Sequence, residues 1–330
     1  MKQDNVILIT GGAGYIGCQL VRDLATDPDF AGMTLRIYDN LHRQHYCGLM
    51  HLPAAGRYEF IEDDILNRLN LQRAMRGARA VIHLAALVRT PISFDYPEWT
   101  KQVNQWGTAA VVECALTAGV EHLIFASSAS VYGPGGPFGE DAPCRPVGPY
   151  ALSKLRAEQE VLQGHERGLP ATIARLATVY GVAPAMRFDA AANHLTYLAG
   201  VSRPLVVRGS GQQHRPLIHI QDASAALRSL LKQPETAGGQ TFNVVTGNPT
   251  FAEIAQMIQA LKPETRIRYT DQELLTEISF EVDGRKLRAT GFAPQFDLRR
   301  GIETMLTHWR GYQRPLQSEA DFADTLDTFV

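Results

Sequence analysis

A tyrosine and a lysine four residues apart, Tyr150 and Lys154, are the side chains in this chain best suited to proton transfer. On a helix this spacing places both on one face. A tyrosine with an ordinary pKa of about 10 is a poor base at neutral pH, but a neighbouring ammonium favours the phenolate. The phenol could then exchange a proton with a substrate hydroxyl or carbonyl. The spacing alone is common on helix surfaces, so the prediction depends on the surrounding elements.

Ser128 follows an apolar run, residues 122–126, that has the length and composition of a buried strand. The carboxyl ends of parallel strands are where ligands bind in open α/β sheets. The position therefore makes Ser128 a candidate partner of Tyr150.

A glycine-rich turn near the start of the sequence predicts a dinucleotide site. An apolar strand at residues 6–9 runs into Gly11, Gly14 and Gly17, and a helical pattern follows. These glycines permit a tight turn, close approach of a pyrophosphate and close packing of the helix, whose N-terminus favours the phosphates. Asp39 ends the second predicted strand, where an acid accepts hydrogen bonds from a ribose and repels a 2′-phosphate. NAD is thus favoured over NADP, although the nearby Arg43 keeps NADP open.

Apolar runs alternate with helical patterns up to about residue 180, which is typical of βαβ units. We predict a Rossmann-like, doubly wound parallel sheet with helices on both faces. Residues 1–180 are predicted to form the NAD-binding domain, and residues 181–330 a smaller α/β part that mainly binds substrate, with some segments returning to the sheet. Buried strands are predicted at 6–9, 35–38, 58–61, 80–84, 122–126 and 172–176, shorter strands at 204–208, 216–220 and 241–244, and later helices at 222–232, 251–261 and 298–308.

One segment departs from this rhythm. Residues 133–149 hold five glycines and five prolines. We predict a loop here, and a loop of this length inside a compact domain is usually functional.

The composition fits a globular enzyme and excludes other classes. The chain has 330 residues, 45% of them hydrophobic, and a formal net charge of −2, which gives no electrostatic case for nucleic acid or a membrane surface. No apolar run approaches the roughly 20 residues that span a bilayer. The sequence enters a strand at once, which leaves no room for a signal peptide, and its four cysteines are widely spaced. We therefore expect a cytoplasmic protein without a metal site or disulfide framework.

Four motifs together resemble the extended short-chain dehydrogenase/reductases: Thr-Gly-Gly-Ala-Gly-Tyr-Ile-Gly, His-Leu-Ala-Ala, Ser-Ser-Ala-Ser-Val-Tyr-Gly and Tyr-Ala-Leu-Ser-Lys. Within that superfamily the chain is similar to the NAD-dependent epimerase/dehydratase family, which acts on nucleotide sugars. The resemblance implies that Ser128, Tyr150 and Lys154 are catalytic, and that Lys154 also holds the nicotinamide ribose. It also implies a homodimer built from the helices that carry Asn104 and Tyr150. The cofactor-binding residues it implies are Gly11, Gly14, Tyr15, Ile16, Gly17, Asp39, Asn40, Arg43, Asp64, Ile65, Leu84, Ala85, Ala86, Asn104, Tyr150 and Lys154.

The residues after Ser128 bear on the reaction. Family dehydratases carry an Asp-Glu pair at this point, and decarboxylases a glutamate, whereas this chain has Ala129 and Ser130. Removal of water then lacks its obvious general acid. We therefore predict a C4 epimerase that works through a transient 4-keto sugar with tightly held NAD. The alternative is an NAD(P)-dependent reductase or dehydrogenase of a keto sugar or another small alcohol. A 4,6-dehydratase and a non-catalytic NAD-binding protein are disfavoured.

The substrate, by resemblance a nucleoside diphosphate hexose, is expected to contact Val88, Ser128, Thr178, Arg187, Asn193 and Arg215. Arg215 lies in the segment whose arginine grips the diphosphate in the family. Two features depart from the family: Thr178 stands where a phosphate-contacting asparagine is usual, and residues 277–283, beginning at Glu277, replace a segment that supplies a second phosphate arginine. Arg187 is the candidate replacement.

Overall fold

The computed structural model of the chain describes residues 5–88, 90–270 and 278–309; of residues 90–92 only the backbone is described. Glu277 therefore lies outside the described residues. The strands are β1 (Val6–Thr10), β2 (Thr34–Asp39), β3 (Arg57–Glu62), β4 (Ala78–His83), β5 (His122–Ser128), β6 (Gly135–Phe138), β7 (Ala171–Leu176), β8 (Thr178–Tyr180), β9 (Leu205–Arg208), β10 (Leu217–His219), β11 (Thr241–Val244), β12 (Ile267–Thr270) and β13 (Phe280–Val282).

The α-helices connect these strands and end the described chain. They are α1 (Tyr15–Thr26), α2 (Arg68–Ala74), α3 (Thr90–Asp95), α4 (Pro97–Lys101), α5 (Gly107–Ala118), α6 (Gly148–Glu166), α7 (Ala191–Gly200), α8 (Ile220–Leu231), α9 (Pro234–Ala237), α10 (Phe251–Leu261), α11 (Arg285–Ala289) and α12 (Leu298–His308). One π-helical turn, Gln102–Trp106, joins α4 to α5.

A seven-stranded parallel sheet with the order β11-β7-β5-β4-β1-β2-β3 forms the centre of the molecule. Side chains of a strand alternate between the two faces. Ile7 and Ile9 of β1 therefore enter one apolar cluster with residues of α1 and α8, and Leu8 enters a second with residues of α2, α5 and α6. The predicted Rossmann-like sheet with helices on both faces is confirmed.

One predicted strand is less buried than expected. We predicted residues 58–61 as a buried strand, but β3 is largely exposed, and Phe60 keeps 42% of its accessible surface. β3 pairs with β2 and stands last in the strand order of the described sheet, so it forms an edge. An apolar run does not by itself indicate whether a strand has neighbours on both sides.

We predicted a loop at residues 133–149, but this segment also contains a strand. Residues Gly135–Phe138 form β6, which pairs in parallel with β13. A Cβ on Gly136, whose φ is +111°, would lie 2.2 Å from the carbonyl oxygen of Glu281. Glycine is thus required for the two strands to approach, and a partner so distant in sequence leaves no local pattern.

The part of the chain after residue 180 contributes to the central sheet and also forms an apolar cluster of its own. β11 adds a strand to the central sheet, and α8 packs against α1, as the predicted division allowed. A separate apolar cluster joins α7, α10 and α12 to β9. In the described part of the chain, no helix has both the length and the apolar character that crossing a membrane requires. The cytoplasmic location stays a prediction.

Candidate active site

The glycine turn between β1 and α1 is shaped by backbone contacts that leave no room for side chains. A Cβ on Gly11, whose φ is +71°, would lie 2.6 Å from the amide nitrogen of Ala85, and one on Gly17 would lie 2.3 Å from the carbonyl oxygen of Gly11. Gly14 precedes the first residue of α1, and no side chain caps that end of the helix. Its N–H groups therefore remain available to a phosphate. The turn fits the predicted pyrophosphate.

The carboxylate of Asp39 lies at the carboxyl end of β2, beside this turn. It accepts hydrogen bonds from the backbone N–H groups of Ala13, at 3.0 Å, and Leu41, at 2.9 Å. Burial raises the pKa of Asp39, and those hydrogen bonds oppose the rise. Across the cavity mouth, Asn40 donates a hydrogen bond to Asp64 at 2.7 Å. The predicted adenosine end is thus built from residues that follow β2 and β3.

The segment after β4 forms another wall of the cavity and is held by Asn104. The side chain of Asn104 accepts from the Leu87 N–H at 2.8 Å and donates to the Leu87 carbonyl at 2.9 Å and to Ser153 at 3.0 Å. Asn104 is 1% exposed and does not line the cavity. Its role in the structure is to hold Leu87, which does line it.

The three predicted catalytic residues meet in the cavity. Ser128 ends β5, and α6 presents Tyr150 and Lys154 from successive turns. The side chain of Ser128 lies close enough to the Tyr150 phenol to lower its pKa, and the Oγ of Ser128 lies 2.9 Å from the Oγ of Ser130. The Lys154 ammonium donates to the Ala126 carbonyl at 2.7 Å and lies 4.7 Å from the centre of the Phe125 ring.

The charges on this trio differ from expectation. Burial raises the pKa of Tyr150, and the side chain of Ser128 and the positive charge of Arg187 offset only part of that rise. Burial also lowers the pKa of Lys154 to about 7. Arg187 is a cation that lowers the pKa of the phenol, and an effect of the Lys154 ammonium on Tyr150 stays a prediction.

Arginines dominate the other half of the cavity. Arg187 forms a two-pronged ion pair with Asp189, at 3.0 and 3.3 Å, and both residues line the cavity. The Arg215 guanidinium lies over the rings of Phe251 and Phe280, at 5.5 and 5.8 Å from their centres. Arginine is suited to diphosphate because its planar fork offers two parallel N–H donors.

Asn193, predicted to contact substrate, occupies a different place. It is fully buried and does not line the cavity. Its side chain accepts from the Gly181 N–H at 2.8 Å and donates to the Arg187 carbonyl at 2.8 Å and the Tyr15 hydroxyl at 3.2 Å. Tyr15 in turn donates to the Gly181 carbonyl at 2.6 Å. Asn193 thus links the glycine turn to the segment that carries Arg187.

All of these groups surround one cavity of about 770 Å³, within the range of small-molecule sites. Every residue predicted to bind cofactor or substrate lines it except Asn104 and Asn193. Residues that were not predicted also line the cavity, and those with polar or aromatic side chains include His42, Trp99, Ser130, Asp189 and Arg208. Arg208 had a usable signal, because it ends the predicted strand at 204–208.

The comparisons with known proteins agree with this geometry. The model of the NAD dependent epimerase/dehydratase family matches residues 7–245. The dTDP-D-glucose 4,6-dehydratase of Mus musculus is 28% identical, with 92% of this chain and 88% of that protein covered. The UDP-glucose 4-epimerase of Azospirillum brasilense is 32% identical, with 78% and 76% covered. The crystallised protein MoeE5, solved with UDP-glucuronic acid and NAD, is 31% identical and superposes with a TM-score of 0.78, with 92% and 98% covered.

Proposed function

Since the chain belongs to the NAD-dependent epimerase/dehydratase family, we propose that it is a nucleotide-sugar epimerase that inverts C4 of a nucleoside diphosphate hexose. Membership confirms the predicted family, the predicted cofactor NAD and the prediction of an enzyme of the extended short-chain dehydrogenase/reductase type. The relatives include both epimerases and dehydratases, so only the groups of the site can distinguish the two reactions.

The observation that carries the proposal is the set of groups beside Ser128. Ala129 and Ser130 stand where dehydratases of the family carry two acidic residues. Among the described residues that line the cavity, the carboxylates are Asp39, Asp63, Asp64 and Asp189. The first three lie at the adenosine end, and Asp189 is paired with Arg187. Elimination of water needs an acid at the leaving hydroxyl, and none of these four described carboxylates is placed for that task.

The remaining groups suffice for oxidation and reduction at a carbinol carbon. Tyr150, whose pKa Ser128 lowers, takes the proton of the sugar 4-hydroxyl and later returns it. NAD bound at the glycine turn of Gly11 and Gly17 would supply the hydride chemistry at C4. Between the two transfers the 4-keto sugar rotates within the cavity and presents its other face. Lys154 holds the nicotinamide ribose, and the residues Val88 and Thr178 contact the sugar.

The arginine-lined half of the cavity is proposed to bind the nucleotide diphosphate and the sugar. Arg208 and Arg215 offer the charge for the diphosphate, and Arg187 lies close enough to Tyr150 to affect its charge state. An arginine beside the reacting carbon would also suit a hexose that bears a carboxylate. MoeE5, which has been solved with UDP-glucuronic acid and with UDP-glucose, gives the two hexoses to compare.

The test is to incubate the purified protein with UDP-glucose, UDP-glucuronic acid and dTDP-glucose and to identify the products by NMR. Conversion of one of them into its 4-epimer, without added cofactor, supports the proposal. A 4-keto-6-deoxy sugar would instead identify a dehydratase, and consumption of added NADH against a keto sugar a reductase. Denaturing the protein and weighing the released nucleotides checks whether NAD is retained in stoichiometric amount.

We also propose that two copies associate through the helices that carry Asn104 and Tyr150. Large apolar side chains are exposed on and beside these helices: Phe94, Tyr96, Trp106, Leu152 and Leu162. Burying such a patch against a second copy would remove it from water. Light scattering coupled to size-exclusion chromatography should give twice the mass of 36.4 kDa, and a monomer at micromolar concentration would contradict this arrangement.

A further inference from the structure

The face of α6 that carries Tyr150 and Lys154 continues with a third ionisable residue, Glu158. The three lie four residues apart, so they stack along one side of the helix. Glu158 is 2% exposed and does not line the cavity. A buried carboxylate must have partners, because its desolvation is otherwise costly. Because Glu158 lies one helical turn after Lys154, its partners show what holds this side of the catalytic helix in place.

The carboxylate of Glu158 joins three elements. It accepts a hydrogen bond from Ser127, the neighbour of Ser128 in β5, at 2.5 Å. It also accepts from Nε and Nη2 of Arg175 in β7, at 3.0 and 2.8 Å. The end of β5, the catalytic helix and β7 are therefore tied together at one point. Arg175 extends the network by donating to the hydroxyl of Tyr132 at 2.8 Å and the carbonyl of Glu140 at 3.1 Å.

A buried ion pair such as Glu158–Arg175 is not well explained by a gain in folding stability. An apolar pair of the same volume often packs as well or better, because burying two charges costs more than their attraction returns. The charge of Glu158 acts on Lys154, and it opposes the loss of the ammonium that burial favours. Among the described residues, His83 on β4 also interacts with the charge of Lys154, and Tyr150 lies one turn earlier on the same helix. His83 is neutral at pH 7, because burial and Lys154 lower its pKa to about 3.

We propose that Glu158 is a positioning residue for the reaction, which holds the buried Lys154 in its charged form and fixes the end of β5 against the helix that carries Tyr150. Arg175 orients the carboxylate through two hydrogen bonds, and Glu158 lies one helical turn beyond Lys154 on the same helix. This inference rests on the proposed roles of Tyr150 and Lys154. It assigns Glu158 to the maintenance of their charge and alignment, not to contact with the substrate.

The decisive measurement is the titration of Lys154 itself, which needs no substrate. The chain has only six lysines, so a protein labelled with ¹³C at lysine Cε gives few NMR signals, and Lys154→Arg identifies the one of interest. In cofactor-stripped protein we expect Glu158→Gln to lower the pKa of Lys154 by about one unit, the size typical of losing a close opposite charge. Glu158→Asp keeps the charge and should leave the pKa near its original value.

Glu160→Gln is the matched control, because it makes the same change on the same helix. Glu160 is half-buried, and its described hydrogen bond is with Gln105 at 3.2 Å, away from Lys154. This variant should not move the titration. Ser127→Ala removes one hydrogen bond to Glu158 but not its charge, and it too should leave the pKa of Lys154 in place. Equal titration of Lys154 in the wild type and in Glu158→Gln would overturn the inference.

Catalysis gives the second readout. If Lys154 must be charged, the basic limb of the kcat/KM profile should move by about one unit to lower pH in Glu158→Gln and stay in place in Glu158→Asp. An unmoved limb in Glu158→Gln contradicts the inference. An inactive wild type contradicts the proposed function instead, and the NMR titration still decides the role of Glu158. If Glu158→Gln does not fold because Arg175 is left unpaired, the double variant Glu158→Gln/Arg175→Gln replaces it. We expect this variant to lower the pKa of Lys154 by a smaller amount. An unchanged pKa of Lys154 in the double variant would contradict the inference.

Discussion

The two halves of the cavity, proposed to bind the cofactor and the substrate, are built from different parts of the chain's chemistry, one from backbone and one from long side chains. On the cofactor side, recognition depends on the backbone: the glycine turn has no space for a Cβ at Gly11 or Gly17, and the start of α1 leaves its N–H groups open. On the substrate side, long side chains form the wall, chiefly Arg187, Arg208 and Arg215. A backbone wall tolerates almost no change, whereas a wall of long side chains can be altered one residue at a time. We therefore expect substrate choice to be the adjustable property of this fold.

The largest effect is expected at the junction of the two halves. Tyr150→Phe removes the proton-transfer group but little volume, so kcat should fall about 100- to 10,000-fold. NAD content, measured by mass after denaturation, should stay close to that of the wild type because the glycine turn is intact. A variant that keeps more than a tenth of the wild-type kcat would show that another group transfers the proton.

A backbone wall should fail sharply when a single methyl group is added. Gly17→Ala places a Cβ 2.3 Å from the carbonyl oxygen of Gly11. Overpacking costs about 1–3 kcal/mol, so NAD affinity should fall about 10- to 100-fold, as measured by calorimetry on stripped protein. Gly247→Ala is the control, because a Cβ there meets no atom within 4 Å. Unchanged NAD affinity in Gly17→Ala would contradict the statement that the backbone wall tolerates almost no change.

The burial of Lys154 predicts a pH dependence of stability. Its pKa is about 7 in the folded protein against an ordinary 10.5, so between these values the unfolded chain binds more protons. The free energy of unfolding of stripped protein should therefore rise with pH above about 7, by about 1 kcal/mol per pH unit from this group. Urea unfolding of wild type and Lys154→Met isolates the contribution as the difference between the two curves. A difference that is flat from pH 7 to 9 would contradict it.

A wall of side chains should lose affinity in a graded way. Arg215→Ala removes charge-assisted hydrogen bonds to a diphosphate, so KM should rise about 10-fold with little change in kcat. Arg299→Ala, an exposed arginine of α12, is the matched control. If KM is unchanged, the substrate carries no diphosphate at this position, which would favour the alternative of a dehydrogenase for another small alcohol.

Much of the fold followed from the sequence because its signals are local. Apolar runs and glycine spacing depend on near neighbours, so the strands that carry Asp39 and Ser128 and the helix that carries Tyr150 were predicted where they occur. β6 and the exposed position of β3 were not, since both depend on which strands lie alongside. Arg215 was predicted from its motif, whereas Arg208 was not predicted although it ends the predicted strand at 204–208, because that strand gave no sign of which cavity it faces.

Asn193 shows how far a resemblance of segments extends. Its place in a substrate-contacting segment predicted a ligand contact, but its amide is occupied by Gly181, Arg187 and Tyr15. A buried polar group takes whatever partners the packing offers, and those partners come from remote parts of the chain.

The sequence by itself determined the NAD family, the alternation of strands and helices along the chain and the choice of Ser128, Tyr150 and Lys154 as the predicted catalytic trio. These depend on backbone geometry and on residue types at fixed spacings, which are written in consecutive residues. Only the tertiary structure decided the charges of that trio. Burial raises the pKa of Tyr150, lowers that of Lys154 and sets Arg187 and Glu158 as their neighbours. Desolvation and Coulomb interactions depend on distances across the fold, and no local pattern contains those distances.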